Sequence, residues 1–275
     1  MQKVKTEKIP FGTKEFAESN INPMKNGCEF NCLYCYAKIF ALRFGRIQSP
    51  EEWKDMKPNM EVIKASYRKR QGRIMFPSAH NITTNCFDSC VIVLKKLLKS
   101  GNDVLIVSKP EPDFPCILNL LQILQPYKSQ VEFRFTITSN KQERLTYWEP
   151  NASSLDDRLN ALLITSLHEY LTSVNIEPYL DKNPIPLIKM VAPFSSEIWL
   201  GFMNWIGWLP KINPNIDQEI LQKKMQYIRE ISSWTNVQKI VENIKQLPEE
   251  IRVKIRFKDS IKRMYKKRGL KIDIV

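Results

Sequence analysis

The chain has no run of apolar residues long enough to span a membrane. Its opening, Met1-Gln-Lys-Val-Lys-Thr-Glu-Lys8, is not followed by the apolar core of a signal peptide. It contains no internal repeat, no low-complexity tract and no clean linker, which leaves one barrel-sized domain or two modest ones for 275 residues. Cysteine is sparse: six in this length are too few for a disulfide framework and fit a reducing, cytoplasmic setting. Acid is also in short supply, with 29 Asp and Glu against 42 Lys and Arg, for a net charge of +13. Such a field attracts nucleic acid or another polyanion and says nothing about fold. Histidine is scarcer still, with only His80 and His168.

What remains is ordinary for a globular protein, 43% hydrophobic and 26% charged. The positive charge is clustered in Tyr67-Arg-Lys-Arg-Gln-Gly-Arg73 and in a tail from Arg252 to Lys271. Either cluster reads as a nucleic-acid contact or as a solvated face. Short β-branched or aromatic runs alternate with longer amphipathic segments, the pattern of βα units around a parallel sheet. Strands are expected at 72–78, 103–108, 131–138, 172–177 and 197–203. Helices are expected at 90–100, 115–127 and 154–170, the last with Ser154 as N-cap ahead of Asp156 and Asp157. A first strand ahead of Cys28 brings the count to about six βα units. Pro210–Asn215 is the nearest approach to a boundary, dividing residues 1–210 from a basic extension at 211–275 of helices and one strand, 251–257.

Three of the cysteines, Cys28, Cys32 and Cys35, fall in Gly27-Cys-Glu-Phe-Asn-Cys-Leu-Tyr-Cys-Tyr-Ala37. Thiolates are the usual protein ligands of iron–sulfur clusters, and three on one loop leave one iron of a [4Fe–4S] cube open to a small molecule. A zinc site of three cysteines and one histidine is the competing reading, with His80 or His168 as fourth ligand. Buried packing thiols are a third. In a parallel βα fold the functional residues sit at the carboxyl ends of the strands. That rule gathers the cysteine loop, Ser78–Asn81, Lys109, Ser139 and Glu177-Pro178 around one mouth.

The spacing, with Gly27 before it and Tyr36-Ala37 after it, resembles the radical S-adenosylmethionine (SAM) superfamily. In that family the open iron is chelated by SAM, and one-electron reduction yields a 5′-deoxyadenosyl radical. Within it the chain is similar to the spore photoproduct lyase, or DNA-repair-photolyase-like, branch, from about Asn22 to Asn204. The likeness lies in Tyr34-Cys-Tyr-Ala37, the stretch from Phe76 to Lys96, Val107-Ser-Lys109, Phe133-Arg-Phe-Thr-Ile-Thr-Ser139 and Trp148-Glu-Pro-Asn-Ala-Ser-Ser-Leu-Asp-Asp-Arg158.

The resemblance implies a partial (β/α)6 barrel, a [4Fe–4S] cluster on Cys28, Cys32 and Cys35, and SAM as cofactor. It implies that Tyr34 packs on adenine, that Lys109 and Thr136 contact SAM, that Glu177 lies beside the nucleoside, and that Tyr36 passes the radical onward. Read without the family, Tyr34 and Tyr36 brace the loop, Lys109 is a surface lysine and Thr136 is an inward barrel residue. Glu149 and Arg158 read as a structural pair. The branch's hydrogen-donating cysteine is replaced here by His80, whose N–H is no hydrogen-atom donor and which is left an acid–base or orienting role. Cys86 and Cys90, six and ten residues on, are substitute donors or packing residues, and a second metal near them stays open. Gly201 and the tryptophans Trp205 and Trp208 close the matched region. The glycine is expected to let a ligand approach, and the tryptophans either stack on a base or fill the core.

The expected function is hydrogen-atom abstraction from a large substrate, nucleic acid first, by a divergent member that takes its electron from flavodoxin or ferredoxin. Two alternatives remain: the same chemistry on a peptide or protein, and a non-enzymatic nucleic-acid-binding protein holding zinc or a structural cluster.

Overall fold

A computed structural model describes residues 10–110 and 115–274, with the side chains of Pro115 and Cys116 excluded. Met1–Lys8 and the Cys116 thiol therefore lie outside the described residues. The chain runs β1 (Ser19–Asn20), β2 (Met24–Asn26), α1 (Tyr36–Arg43), β3 (Lys57–Pro58), α2 (Met60–Lys64), β4 (Arg73–Phe76) and α3 (Phe87–Lys99). It continues through β5 (Asp103–Ser108), α4 (Pro115–Leu124), β6 (Val131–Thr136), α5 (Gln142–Trp148), α6 (Leu155–Leu167), β7 (Leu171–Ile176), α7 (Ile185–Val191) and β8 (Glu197–Leu200). The last elements are α8 (Leu209–Ile212), α9 (Gln218–Ile231), α10 (Trp234–Lys245), α11 (Glu249–Arg252), β9 (Ile255–Phe257) and α12 (Asp259–Lys266).

Seven strands form one curled parallel sheet in the order β1-β4-β5-β6-β7-β8-β9, while β2 and β3 pair apart from it. Parallel neighbours need crossovers, and the helices that supply them cover the outer face. The strand pattern makes this face apolar: Val104 and Ile106, Phe133 and Phe135, Val174 and Ile176, and Ile198 and Leu200 alternate outward into one core with Leu94, Leu97 and Leu98 of α3. Ser154 caps α6 as its sequence implies, its hydroxyl accepting from Asp157 N at 3.1 Å.

The inner face carries a small apolar cluster of Phe16, Met75, Leu105 and Trp199 beside a polar one. Arg134 is fully buried there, donating to Ser173 Oγ at 2.8 Å and to Glu132 at 2.9 Å. Its guanidinium lies 4.6 Å from the Phe16 ring and 5.3 Å from Trp199. These partners matter because a buried charge left unpaired would be costly. The upper half, at the carboxyl ends, is left for other groups. The last strand, β9, comes from within 211–275 and hydrogen-bonds to β8 in register Ile198↔Ile255.

Candidate functional site

The cysteine loop follows β1 and β2 at the carboxyl end of the sheet. Its entry depends on Gly27, whose φ is +94° and whose missing Cβ would stand 2.7 Å from the Asp55 carbonyl oxygen. Backbone bonds pin the loop on two sides: Cys28 N donates to Trp53 O at 2.9 Å and Leu33 N to Trp148 O at 2.9 Å. Asn213, which sequence reasoning passed over, holds the Leu33 carbonyl at 2.8 Å. Cys35 caps α1, its sulfur accepting from Lys38 N at 3.4 Å, and the Asn81 amide donates to Cys28 Sγ at 3.5 Å. N–H groups aimed at sulfur suit thiolate ligands.

No disulfide joins these cysteines. Burial pushes the thiol of Cys32 up to about 12 and that of Cys35 to about 11, against the pull of Lys109. Sulfurs so placed carry charge comfortably only beside a cation. Three thiols on one loop match the ligand count that leaves one iron of a [4Fe–4S] cube open.

The other expected site residues sit around this loop. Lys109, at the end of β5, is buried; its backbone N donates to Asn81 Oδ1 at 2.7 Å, and its ammonium lies 5.7 Å from the centre of the Tyr34 ring. Burial lowers its pKa, but Cys32 and Glu149 outweigh burial and keep it protonated. Tyr34 donates to Glu149, as does Thr138, at 2.8 Å. Glu149 in turn pairs with Arg158 at 2.5 Å, both fully buried. Burial alone would raise the Glu149 pKa, yet Arg158 and Lys109 hold it below the usual carboxylate value. The pair is structural, as expected, but through Tyr34 it also grips the cysteine loop.

Thr136 ends β6, buried and directly opposite Asn175 of β7. Asn175 was missed from sequence, where a lone strand asparagine carries no signal. Its buried Oδ1 has no hydrogen-bond partner, so the strand ends present an acceptor toward the open half of the barrel. Glu177 follows β7 and accepts from Asn204 at 3.3 Å, with Lys258 at 3.6 Å. Burial pushes its carboxyl up to about 7. Gly201 does permit a close approach, but by Glu177 and Lys258: an added Cβ would meet their Cγ atoms at 2.9 and 2.8 Å.

Tyr36 is half-exposed and donates to the Ser78 carbonyl. Asn22, also missed, organises the same turn by accepting from Ser78 N at 2.7 Å and Ala79 N at 2.9 Å. His80 is turned into the protein instead: Nε2 accepts from Met24 N at 3.4 Å and Nδ1 donates to Asn81 O at 2.8 Å. It groups with Cys86 and Cys90 rather than with Tyr36. Of the tryptophans, Trp205 is exposed beside Phe40, at 5.4 Å, and Arg43, at 5.7 Å, whereas Trp208 is packed against the core.

The residues present fit a [4Fe–4S] cluster and SAM: three desolvated thiols with N–H donors aimed at two of them, a buried ammonium, and an orphaned acceptor at the strand ends. No protein-family model and no curated protein matches the chain. Solved structures do. A cysteine-to-serine variant of spore photoproduct lyase superposes with a TM-score of 0.51 at 16% identity, over 82% of this chain and 78% of its own. A variant of that lyase with bound AdoMet and dinucleoside spore photoproduct gives 0.49 at 16% identity, over 77% and 73%. The first of these likenesses establishes that the chain shares the fold of spore photoproduct lyase, a partial barrel of parallel βα units.

Proposed function

We propose that this chain is a radical SAM enzyme whose [4Fe–4S] cluster is held by Cys28, Cys32 and Cys35 and whose substrate is a nucleic acid. The observation that carries the reading is the set of three disulfide-free cysteines on one loop, two of them buried, at the carboxyl mouth of a parallel half-barrel. When bound, the cluster supplies the electron that cleaves SAM into methionine and the deoxyadenosyl radical. The chain's own residues bind and orient. Lys109 presents a buried positive charge to the carboxylate or ribose of SAM, and Tyr34 lies against the adenine. Thr136 and Asn175 offer a hydroxyl and a free amide oxygen from adjacent strands. Glu177, about half protonated near pH 7, donates to the nucleoside more readily than an ordinary carboxylate would. Tyr36 stands at the edge of the mouth, where a radical relay to substrate would pass, and a reductant of the flavodoxin or ferredoxin class delivers the electron.

Nucleic acid is favoured over a peptide by the rim. Tyr36, Phe40, Phe44 and Trp205 form a partly exposed aromatic group, with ring centres 5.4 to 6.1 Å apart, and Arg43 lies over two of the rings. Aromatic faces next to a guanidinium are the usual platform for unstacked bases.

The test is anaerobic reconstitution with iron and sulfide, reduction in the presence of SAM, and assay for 5′-deoxyadenosine. Product is expected from the wild-type chain and none from Cys32→Ala. A full cluster complement that neither binds SAM nor yields product with any oligonucleotide would overturn the reading.

A further inference from the structure

A second group of ligand atoms lies apart from the cysteine loop. His80, Cys86 and Cys90 each bring one nitrogen or sulfur atom within 4.8 Å of the other two. The geometry points to a second metal centre here, a tetrahedral site of the zinc class held by one imidazole and two thiolates. It does not depend on the radical SAM reading.

Local structure makes the constellation. Cys86 ends a short 3-10 turn and Cys90 lies in the first turns of α3. A four-residue separation at the head of a helix puts both sulfurs on one face. They stand 3.8 Å apart, which matches the edge of about 3.8 Å of a tetrahedron with metal–sulfur bonds near 2.3 Å, and is too far for a disulfide. The loop after β4 then turns His80 inward to meet them.

Burial and charge agree. The three residues are 6%, 1% and 0% exposed. A bare divalent ion could not be buried so deeply, but two thiolates cancel its charge and a neutral imidazole adds none. The surroundings supply the outer contacts such sites use. Thr83 N donates to Cys86 Sγ at 3.3 Å, and Asn81 O receives the imidazole Nδ1–H at 2.8 Å, so Nε2 is the ligand atom, giving up its long 3.4 Å contact with Met24 N to the ion. The Thr83 hydroxyl lies 3.6 Å from Cys86 Sγ on the same side.

Such an ion would tie the β4–α3 loop to its helix. That loop carries Asn81, which reaches both Cys28 Sγ and Lys109 N. The centre would therefore set the position of the residue that bridges the two halves of the larger site.

The experiment titrates chelator-stripped, full-length chain with Co2+, in a Cys28→Ala/Cys32→Ala/Cys35→Ala/Cys116→Ala background that removes the other thiols. The expected result is one Co2+ per chain, with tetrahedral ligand-field bands and thiolate charge transfer. Both are lost in the further Cys86→Ser/Cys90→Ser change. Should that variant not fold, His80→Ala keeps both thiols, and X-ray absorption should then report two sulfurs and one nitrogen fewer. The inference is overturned by cobalt spectra that ignore these changes. It is equally overturned by no cobalt uptake while both thiols react freely, or by a mass two hydrogens lower that marks a Cys86–Cys90 disulfide.

Discussion

Glu177 shows how much a single residue's surroundings alter its chemistry. Burial is the main cause of its rise from 4.5 to about 7, and Lys258 offsets only part of it. An acid whose folded pKa is raised loses folding stability on ionising. The loss accumulates as pH climbs from 4.5 to about 7 and is complete above that range. Glu177→Gln removes the titration, so urea midpoints of wild type and variant should diverge across this window and run parallel on either side of it. Curves parallel throughout would show that the carboxyl titrates normally. Gly201, beside it, is constrained by space. Gly201→Ala drives a Cβ to within 2.9 Å of Glu177 Cγ and 2.8 Å of Lys258 Cγ, and overpacking of this kind costs about 1–3 kcal/mol. Denaturant unfolding checks the size of the loss, and a neutral substitution would mean that both side chains swing aside.

At the scale of elements, strands were legible and the long-range contacts that hold the loops were not. The run Asp103–Ser108 is a strand over the same residues, and the cores of 72–78, 131–138 and 197–203 hold β4, β6 and β8. Their β-branched and aromatic residues announce themselves. The cysteine loop was legible because its spacing is its chemistry. The amides around it were not: Asn22 and Asn213 act through bonds to residues far along the chain, and no periodicity marks them. The company of His80 was hidden likewise, since only the folded loop shows that it meets Cys86 and Cys90. Glu149 illustrates the consequence. It accepts from Tyr34 of the cysteine loop and Thr138 after β6, and pairs with Arg158 of α6. Glu149→Gln leaves Arg158 charged and fully buried without its partner, at a cost of about 3–5 kcal/mol. Thermal unfolding should register that loss. Anaerobic iron loading should fall with it, as Tyr34 loses its acceptor. Full iron loading at reduced stability would confine Glu149 to scaffolding.

Across the whole molecule, the net charge of +13 proves a poor guide to where a polyanion would lie. The basic tail reads in sequence as a nucleic-acid contact or a solvated face, yet Lys258 is buried between Glu15 at 2.8 Å and Glu177 at 3.6 Å, and Lys254 is bonded to Ala192 O. Arg256 pairs with Glu197, Lys262 with Glu15 and Arg263 with Asp259. Much of that run is spent on joining β9 and α12 to the barrel. The other cluster, Arg68–Arg70, precedes β4, and Arg70 N is bonded to Asn102 just before β5. It therefore lies at the amino ends of the strands, away from the cysteine loop. What faces a substrate at the mouth is aromatic more than basic, and this separates two kinds of binding. Trp205→Ala should weaken a single-stranded oligonucleotide by about 1–3 kcal/mol, the value of one stacked base, and leave the salt dependence unchanged. Arg68→Ala/Lys69→Ala/Arg70→Ala should instead flatten the salt dependence of nonspecific duplex binding, by about 0.9 in log–log slope for each phosphate no longer neutralised. It should leave product formation at the mouth intact. Fluorescence anisotropy over a salt series measures both. Reversed roles, with the basic triad controlling turnover and Trp205 silent, would move the substrate path to the other end of the barrel.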